Sequence, residues 1–205
     1  MDNVRDNKNV RLGVLIALIL AAAFSRVIPH MPNFSPLGAI GLFGAAYLLK
    51  KWQAFLIPLG ATWLSDLFIN NVIYARYYPT FTWFYQGFFW QYGTYLIITL
   101  VGIFIFKRIT PLRVLAGVLA STTLFFLITN FSAWPGEPTY SQDFQGLLSC
   151  YASGLPYLKG TLLGDLFYTI VLFGIFAFMQ KQFPSLQAVT QPGFIPNPSQ
   201  PDKSL

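Results

Sequence analysis

The fold class this sequence predicts is all-α: a polytopic membrane protein with six transmembrane helices. Three observations carry it. Only 10% of the 205 residues are charged while 55% are hydrophobic, against about a quarter charged in an ordinary soluble domain, so the chain cannot cover a water-facing surface. Its apolar runs reach the roughly 17–25 residues that cross a bilayer, where helices satisfy their own backbone polar groups. Its Lys and Arg residues stand in short clusters between those runs. Despite a net charge of +6, this is the pattern of membrane orientation and not a continuous basic face for nucleic acid.

Residues 1–11 form a charged cytoplasmic segment, and residues 12–182 the six-helix membrane domain. No small-x-small cleavage site followed by a soluble domain appears, so the first apolar run, 12–24, reads as a retained helix. Pro29, Pro32 and Pro36 make the next connection extended or turned. The second span is expected over 37–49, stopped by Lys50 and Lys51, and the third over 52–70, kinked at Pro58. The stretch 74–90 is dense in Tyr, Phe and Trp, side chains that suit the headgroup layer. The fourth span is expected over 88–106 and the fifth over 112–129. A long loop follows over 130–160, broken by Pro135, Gly136, Pro138 and Pro156, with a short helix or re-entrant piece over 147–152. The sixth span covers 161–179, and residues 183–205 read as a disordered cytoplasmic tail.

Six spans place both termini on one side. That side carries ten of the thirteen Lys and Arg residues; only Arg26, Arg76 and Lys159 fall on the other. The imbalance sets the termini in the cytoplasm and the protein in the inner (plasma) membrane.

Two carboxylates stand inside apolar runs, where a charge is costly and by default marks a functional site. Asp165 lies in Thr161-Leu162-Leu163-Gly164-Asp165-Leu166-Phe167, and Asp66 in Thr62-Trp63-Leu64-Ser65-Asp66-Leu67-Phe68, with Thr, Leu, Asp, Leu and Phe at equal offsets. In the predicted topology both fall near the outer ends of their spans, Asp66 at a helix C-terminus that opposes its charge and Asp165 about one turn into its helix. Arg26 is the expected partner of Asp66, as a structural pair or beside a ligand. Arg26, His30, Asn33, Asn130, Trp134, Cys150 and Thr161 share the outer side and complete the candidate substrate-binding set. Each has a plainer reading: Asp165 as a helix-dipole partner, His30 as a loop histidine, Asn33 and Asn130 as caps, Cys150 as apolar filling. Gly13, Ala17, Ala21 and Ser25 recur every four residues in the first helix, a stripe that lets another helix approach closely, within the chain or from a partner.

With one His and one Cys, and without HExxH, GxSxG or a Gly-rich phosphate loop, the chain carries no enzyme signature, and neither a metal centre nor a cofactor is expected. Six short helices, an outward-facing site and the Ala17–Ala21 stripe resemble the S components of energy-coupling-factor vitamin transporters. That resemblance implies capture of a vitamin or cofactor precursor from outside and docking on a membrane coupling subunit. The stretches Pro32-Asn33-Phe34-Ser35-Pro36-Leu37-Gly38-Ala39, Leu42-Phe43-Gly44-Ala45-Ala46-Tyr47 and Leu148-Ser149-Cys150-Tyr151 through Gly160-Thr161-Leu162-Leu163-Gly164-Asp165 look like a family of small bacterial membrane proteins with no established activity. The expected function is a substrate-binding transport subunit in the lipid bilayer for a small molecule. The alternative is a non-catalytic assembly or structural subunit of a larger membrane complex. Convergence of both acids on an outward-open cavity favours the first, and plugging of both by local partners the second.

Overall fold

The computed structural model describes residues 2–78 and 80–187. Six α-helices and short helical turns make up the ordered chain, with no strand among the described residues: α1 (Asp2–Phe24), α2 (Leu37–Tyr47), α3 (Lys51–Phe68), α4 (Phe88–Ile105), α5 (Pro111–Ala133) and α6 (Phe144–Gln182). All but α2 are long and apolar enough to cross a membrane.

The short helix is the centre of the bundle. Nine of the eleven residues of α2 are buried, and it packs against all five other helices. A helix apolar on every side has no solvent face to present and belongs inside. Phe43 fills the middle, edge-on to Phe173 and Phe176 of α6 and beside Tyr47. At about 1.5 Å per residue α2 is only about 16 Å long. The predicted second span of 37–49 is therefore too long for the helix that forms. Residues 28–36 complete the return: Ile28 to Pro36 run as turns and extended chain against α6. The amide and carbonyl of Ser35 lie beside Gly164, and the Pro32 carbonyl lies beside Gly160. Asn33 supports one of these turns in the left-handed region, at φ 60°, which Asn tolerates better than most residues.

The second departure from expectation is larger. Over half of the predicted 130–160 loop is helical: α5 continues to Ala133, and α6 begins at Phe144 and runs for 39 residues through Pro156 without ending. Asp143 caps it, its carboxylate accepting from the Gly146 amide at 2.8 Å. That amide, then the Ser141 hydroxyl, hold the Asp143 carboxyl below the usual carboxylate range. At about 58 Å, α6 is nearly twice the roughly 30 Å of a bilayer core. Asp165 thus lies deep in the helix, 21 residues after its start at Phe144, and not one turn in.

At the other end of the chain, Pro184–Leu186 forms a tight turn, with Leu186 buried and packed near α1, so the expected unstructured tail starts with ordered residues. Residues 188–205 of that tail lie outside the described residues. In the aromatic stretch, Asn71 clasps Thr82 from both sides, accepting its amide N–H and donating to its carbonyl, while Trp63 stacks on Trp83.

Candidate functional site

Asp66 and Arg26 meet as the sequence suggested. Arg26 Nη1 lies 2.6 Å from Asp66 Oδ1 and donates also to Ser65 Oγ at 2.9 Å, while the Tyr92 hydroxyl donates to Asp66 Oδ2 at 2.7 Å. Both carboxylate oxygens are therefore occupied, and the carboxylate is nearly enclosed. Among the described residues this is the one ion pair.

Arg26 presents its remaining surface to a cavity of about 200 Å³ whose walls also carry His30, Asn33, Ser35, Gln91, Tyr95, Ser121, Thr161 and Asp165. The floor is the N-terminal end of α2. No side chain of its own segment caps that end, where Pro36 precedes the helix, so its first amides need acceptors from elsewhere. Asp165 supplies one. Its carboxylate sits against Gly38 and faces the Ala39 amide, while Thr122 Oγ1 donates to Oδ2 at 3.0 Å. The positive end of α2 favours a negative charge there. A dipole-partner role therefore holds for Asp165, but toward α2 and not toward its own helix. Asp165 is 2% exposed and has no cationic partner among the described residues.

The hydroxyls of Ser121 and Ser35 are buried on the same wall with no hydrogen-bond partner at donor–acceptor geometry. The Ser121 oxygen and the nearer Asp165 oxygen both lie where a Gly38 Cβ would stand. Ser121 thus has the Asp165 carboxylate as its neighbour; the Ser35 hydroxyl has none, and a buried hydroxyl left unpaired costs about 1–3 kcal/mol, so it can serve whatever fills the cavity, water or ligand. At roughly 30 Å³ per water, the space suits a small molecule.

This cavity is not isolated. Asn33, Phe125 and Thr161 also wall a second one of about 280 Å³, and Asn130, Gly154 and Tyr157 are shared between the second and a third of about 410 Å³. The third lies among Glu137, Tyr140 and Cys150 at the α5–α6 connection. Three neighbouring pockets, the outer two open at the surface and each sharing lining residues with the next, therefore lie between that connection and Asp165.

Seven of the nine sequence-selected site residues line this route: Arg26, His30, Asn33, Thr161 and Asp165 in the innermost cavity, and Asn130 and Cys150 further out. Asp66 stands behind Arg26 and does not line it, so the two acids do not share one cavity wall. Trp134 lies off the route, its indole N–H donating to the Ser141 carbonyl at 2.8 Å. The Cys150 thiol is buried against the Asn130 carbonyl, at 3.4 Å. His30 is exposed, with Nδ1 2.6 Å from the Ile28 carbonyl. Of the stripe on α1, Gly13, Ala17 and Ala21 are exposed on the outside of the bundle. Ser25 turns inward to the Tyr168 hydroxyl at 2.9 Å. Sequence reasoning missed Ser121, Thr122, Gln91 and Tyr95. The run Ser121-Thr122-Thr123 in the middle of an apolar span was the available signal.

Residues 6–186 match the family of unknown function DUF6580, and the chain belongs to that family. No curated protein and no solved structure matches it.

Proposed function

We propose that this member of the DUF6580 family is a multi-pass protein of the inner membrane. In this reading its termini are cytoplasmic, and it binds a small molecule from the outer side as the substrate-binding subunit of a transport system. The observation that carries the reading is the polar route. Its outer end lies among Glu137, Tyr140 and Cys150, and its inner end at a buried carboxylate that makes no ion pair among the described residues and has the Ser121 and Ser35 hydroxyls beside it. A bundle that only fills space gains nothing from such a defect, because every unsatisfied buried group destabilises it. Irregular chain such as residues 28–36 is tolerated at membrane depth where it lines a cavity. Residues 28–36 and α2 together make the second pass, which keeps the alternation on which the cytoplasmic assignment of ten basic residues rests. The likeness to energy-coupling-factor S components belongs to this proposal, with a vitamin- or cofactor-precursor-like cargo and a membrane coupling subunit as partner.

Two measurements test it. Single-cysteine variants at positions 8 and 107, in a Cys150→Ser background, should resist a membrane-impermeant thiol reagent added to intact cells, and one at position 76 should react. Labelling at position 8 from outside contradicts the orientation. Mass spectrometry of the protein purified in mild detergent should find a co-purifying small molecule at least tenfold depleted in Asp165→Asn, a variant that keeps the shape and the acceptor facing α2. Equal recovery from a normally folded Asp165→Asn protein removes the binding reading.

A second reading, an assembly subunit of a larger membrane complex, is favoured by one observation. Gly13, Ala17 and Ala21 are exposed, and nothing lies within 4 Å of where a Gly13 Cβ would stand. Under that reading Ala17→Leu abolishes co-purification of a partner while Asp165→Asn is silent.

A further inference from the structure

At the opposite end of α1 from the cavity, Arg11 is a buried cation without an anion. It is 5% exposed, its Nε finds no hydrogen-bond partner, and no carboxylate stands within ion-pair distance among the described residues. The face of Phe176 lies 5.7 Å from the guanidinium carbon, an interaction of about 2 kcal/mol at most in a desolvated setting. That is well short of the several kcal/mol that removing an ion from water costs.

Arg11 lines a cavity of about 210 Å³ together with Lys8, Lys50 and Gln53, and Leu12, Leu48 and Leu49 close its apolar side. Three cations and no acid therefore wall one space. The same space lies at the N-terminus of the 18-residue α3, which starts at Lys51; the Gln53 amide there is taken by the Lys50 carbonyl, and the positive end of the helix dipole favours an anion. Outside it, Leu49 and Trp52 are both more than half exposed. An apolar residue and an amphipathic ring beside paired lysines are the surroundings of a lipid headgroup.

We propose that this cavity binds a phosphate group, that of an anionic phospholipid, with Arg11 as the buried anchor and Lys8 and Lys50 at the rim. The guanidinium fork matches phosphate oxygens in a way that lysine does not, which accounts for arginine at the buried position. The acyl chains then run outward past Leu49 and Trp52. This site rests on the membrane reading but not on the transported cargo: Arg11 and Arg26 are 15 residues apart along the chain from α1 into its final turn, about 22 Å at helical rise.

The test uses the full chain in mild detergent, incubated with phosphatidylglycerol or with phosphatidylcholine of the same acyl chains, and counts retained lipid by native mass spectrometry. Phosphatidylglycerol should be retained at least tenfold over phosphatidylcholine. Arg11→Gln should abolish the preference, and Lys8→Gln and Lys50→Gln should each weaken it about fivefold. Lys107→Gln, outside the cavity, should leave it intact. Should Arg11→Gln fail to fold, the two exposed lysines decide. Equal retention of both lipids, or a preference unmoved by the lysine variants, overturns the site. Displacement of phosphatidylglycerol by low-millimolar inorganic phosphate assigns the cavity to a soluble phosphate and overturns the lipid. None of these outcomes touches the recovery of cargo from Asp165→Asn, so the two proposals fail separately.

Discussion

Asp66→Ala should lower folding stability by about 3 kcal/mol, because it strands a cation that the bundle has already taken out of water. The Arg26 and Asp66 side chains are 16% and 7% exposed, and their contact is 2.6 Å. Truncating one member of a buried pair costs about 3–5 kcal/mol, most of it the price of the charge left behind. Arg26 keeps a cavity to face, which places the expected loss at the lower end. The Tyr92 hydroxyl would lose its acceptor as well. The converse decides whether the pair stabilises or merely balances: in Arg26→Met combined with Asp66→Leu no charge is buried at this position, and melting in detergent should recover to within about 1 kcal/mol of the natural protein. Single variants that melt like the natural protein would mean that solvent screens the pair as it screens a surface one. The double variant should still lose the co-purifying molecule, since Arg26 walls the cavity.

The acids were legible in the sequence because charge is conspicuous in an apolar run, and the pairing of Asp66 with Arg26 followed from a carboxylate at the C-terminal end of α3 needing a cation. What was not legible was where α2 stops. Leu37 to Leu49 reads as an unbroken apolar run, and only tertiary packing shows that the segment before it is drawn into the bundle and the helix shortened. The Asp165–α2 relation joins positions more than 120 residues apart, and no local pattern encodes it. The largest misreading came from taking Pro156, after Pro135, Gly136 and Pro138, as the mark of a loop lasting to residue 160, when the helix runs through it. Gly146, Gly154 and Gly160 lie within a continuous helix, and each touches another segment: the Ser141 carbonyl, the Asn130 side chain and the Pro32 carbonyl. A glycine that permits close approach looks, in one sequence, the same as a glycine that ends a helix. Gln91 and Tyr95 escaped for another reason: a lone polar side chain in an apolar helix is unremarkable until the structure leaves it facing a cavity.

Two glycines of α6 should respond in opposite directions to the same substitution. Alanine raises helix stability over glycine by up to about 1 kcal/mol where nothing else changes. At Gly174 the space that a Cβ would enter is open, so Gly174→Ala should stabilise by about that amount. At Gly164 the Cβ would stand 2.6 Å from the Ser35 amide nitrogen and 2.9 Å from its carbonyl oxygen. Those atoms are backbone and have no rotamer to change, so the 28–36 segment must move away from α6. Overpacking of this kind costs about 1–3 kcal/mol, and with a backbone neighbour Gly164→Ala should sit at the upper end, giving a separation of about 3–4 kcal/mol between the two variants in detergent melting. The displaced segment carries His30, Asn33 and Ser35 and leads into the start of α2, so it forms one wall of the innermost cavity. Gly164→Ala should therefore also lose the co-purifying small molecule, whereas Gly174→Ala retains it. If both alanine variants raise stability, the 28–36 chain is not seated on α6 as described, and the cavity loses the wall that closes it.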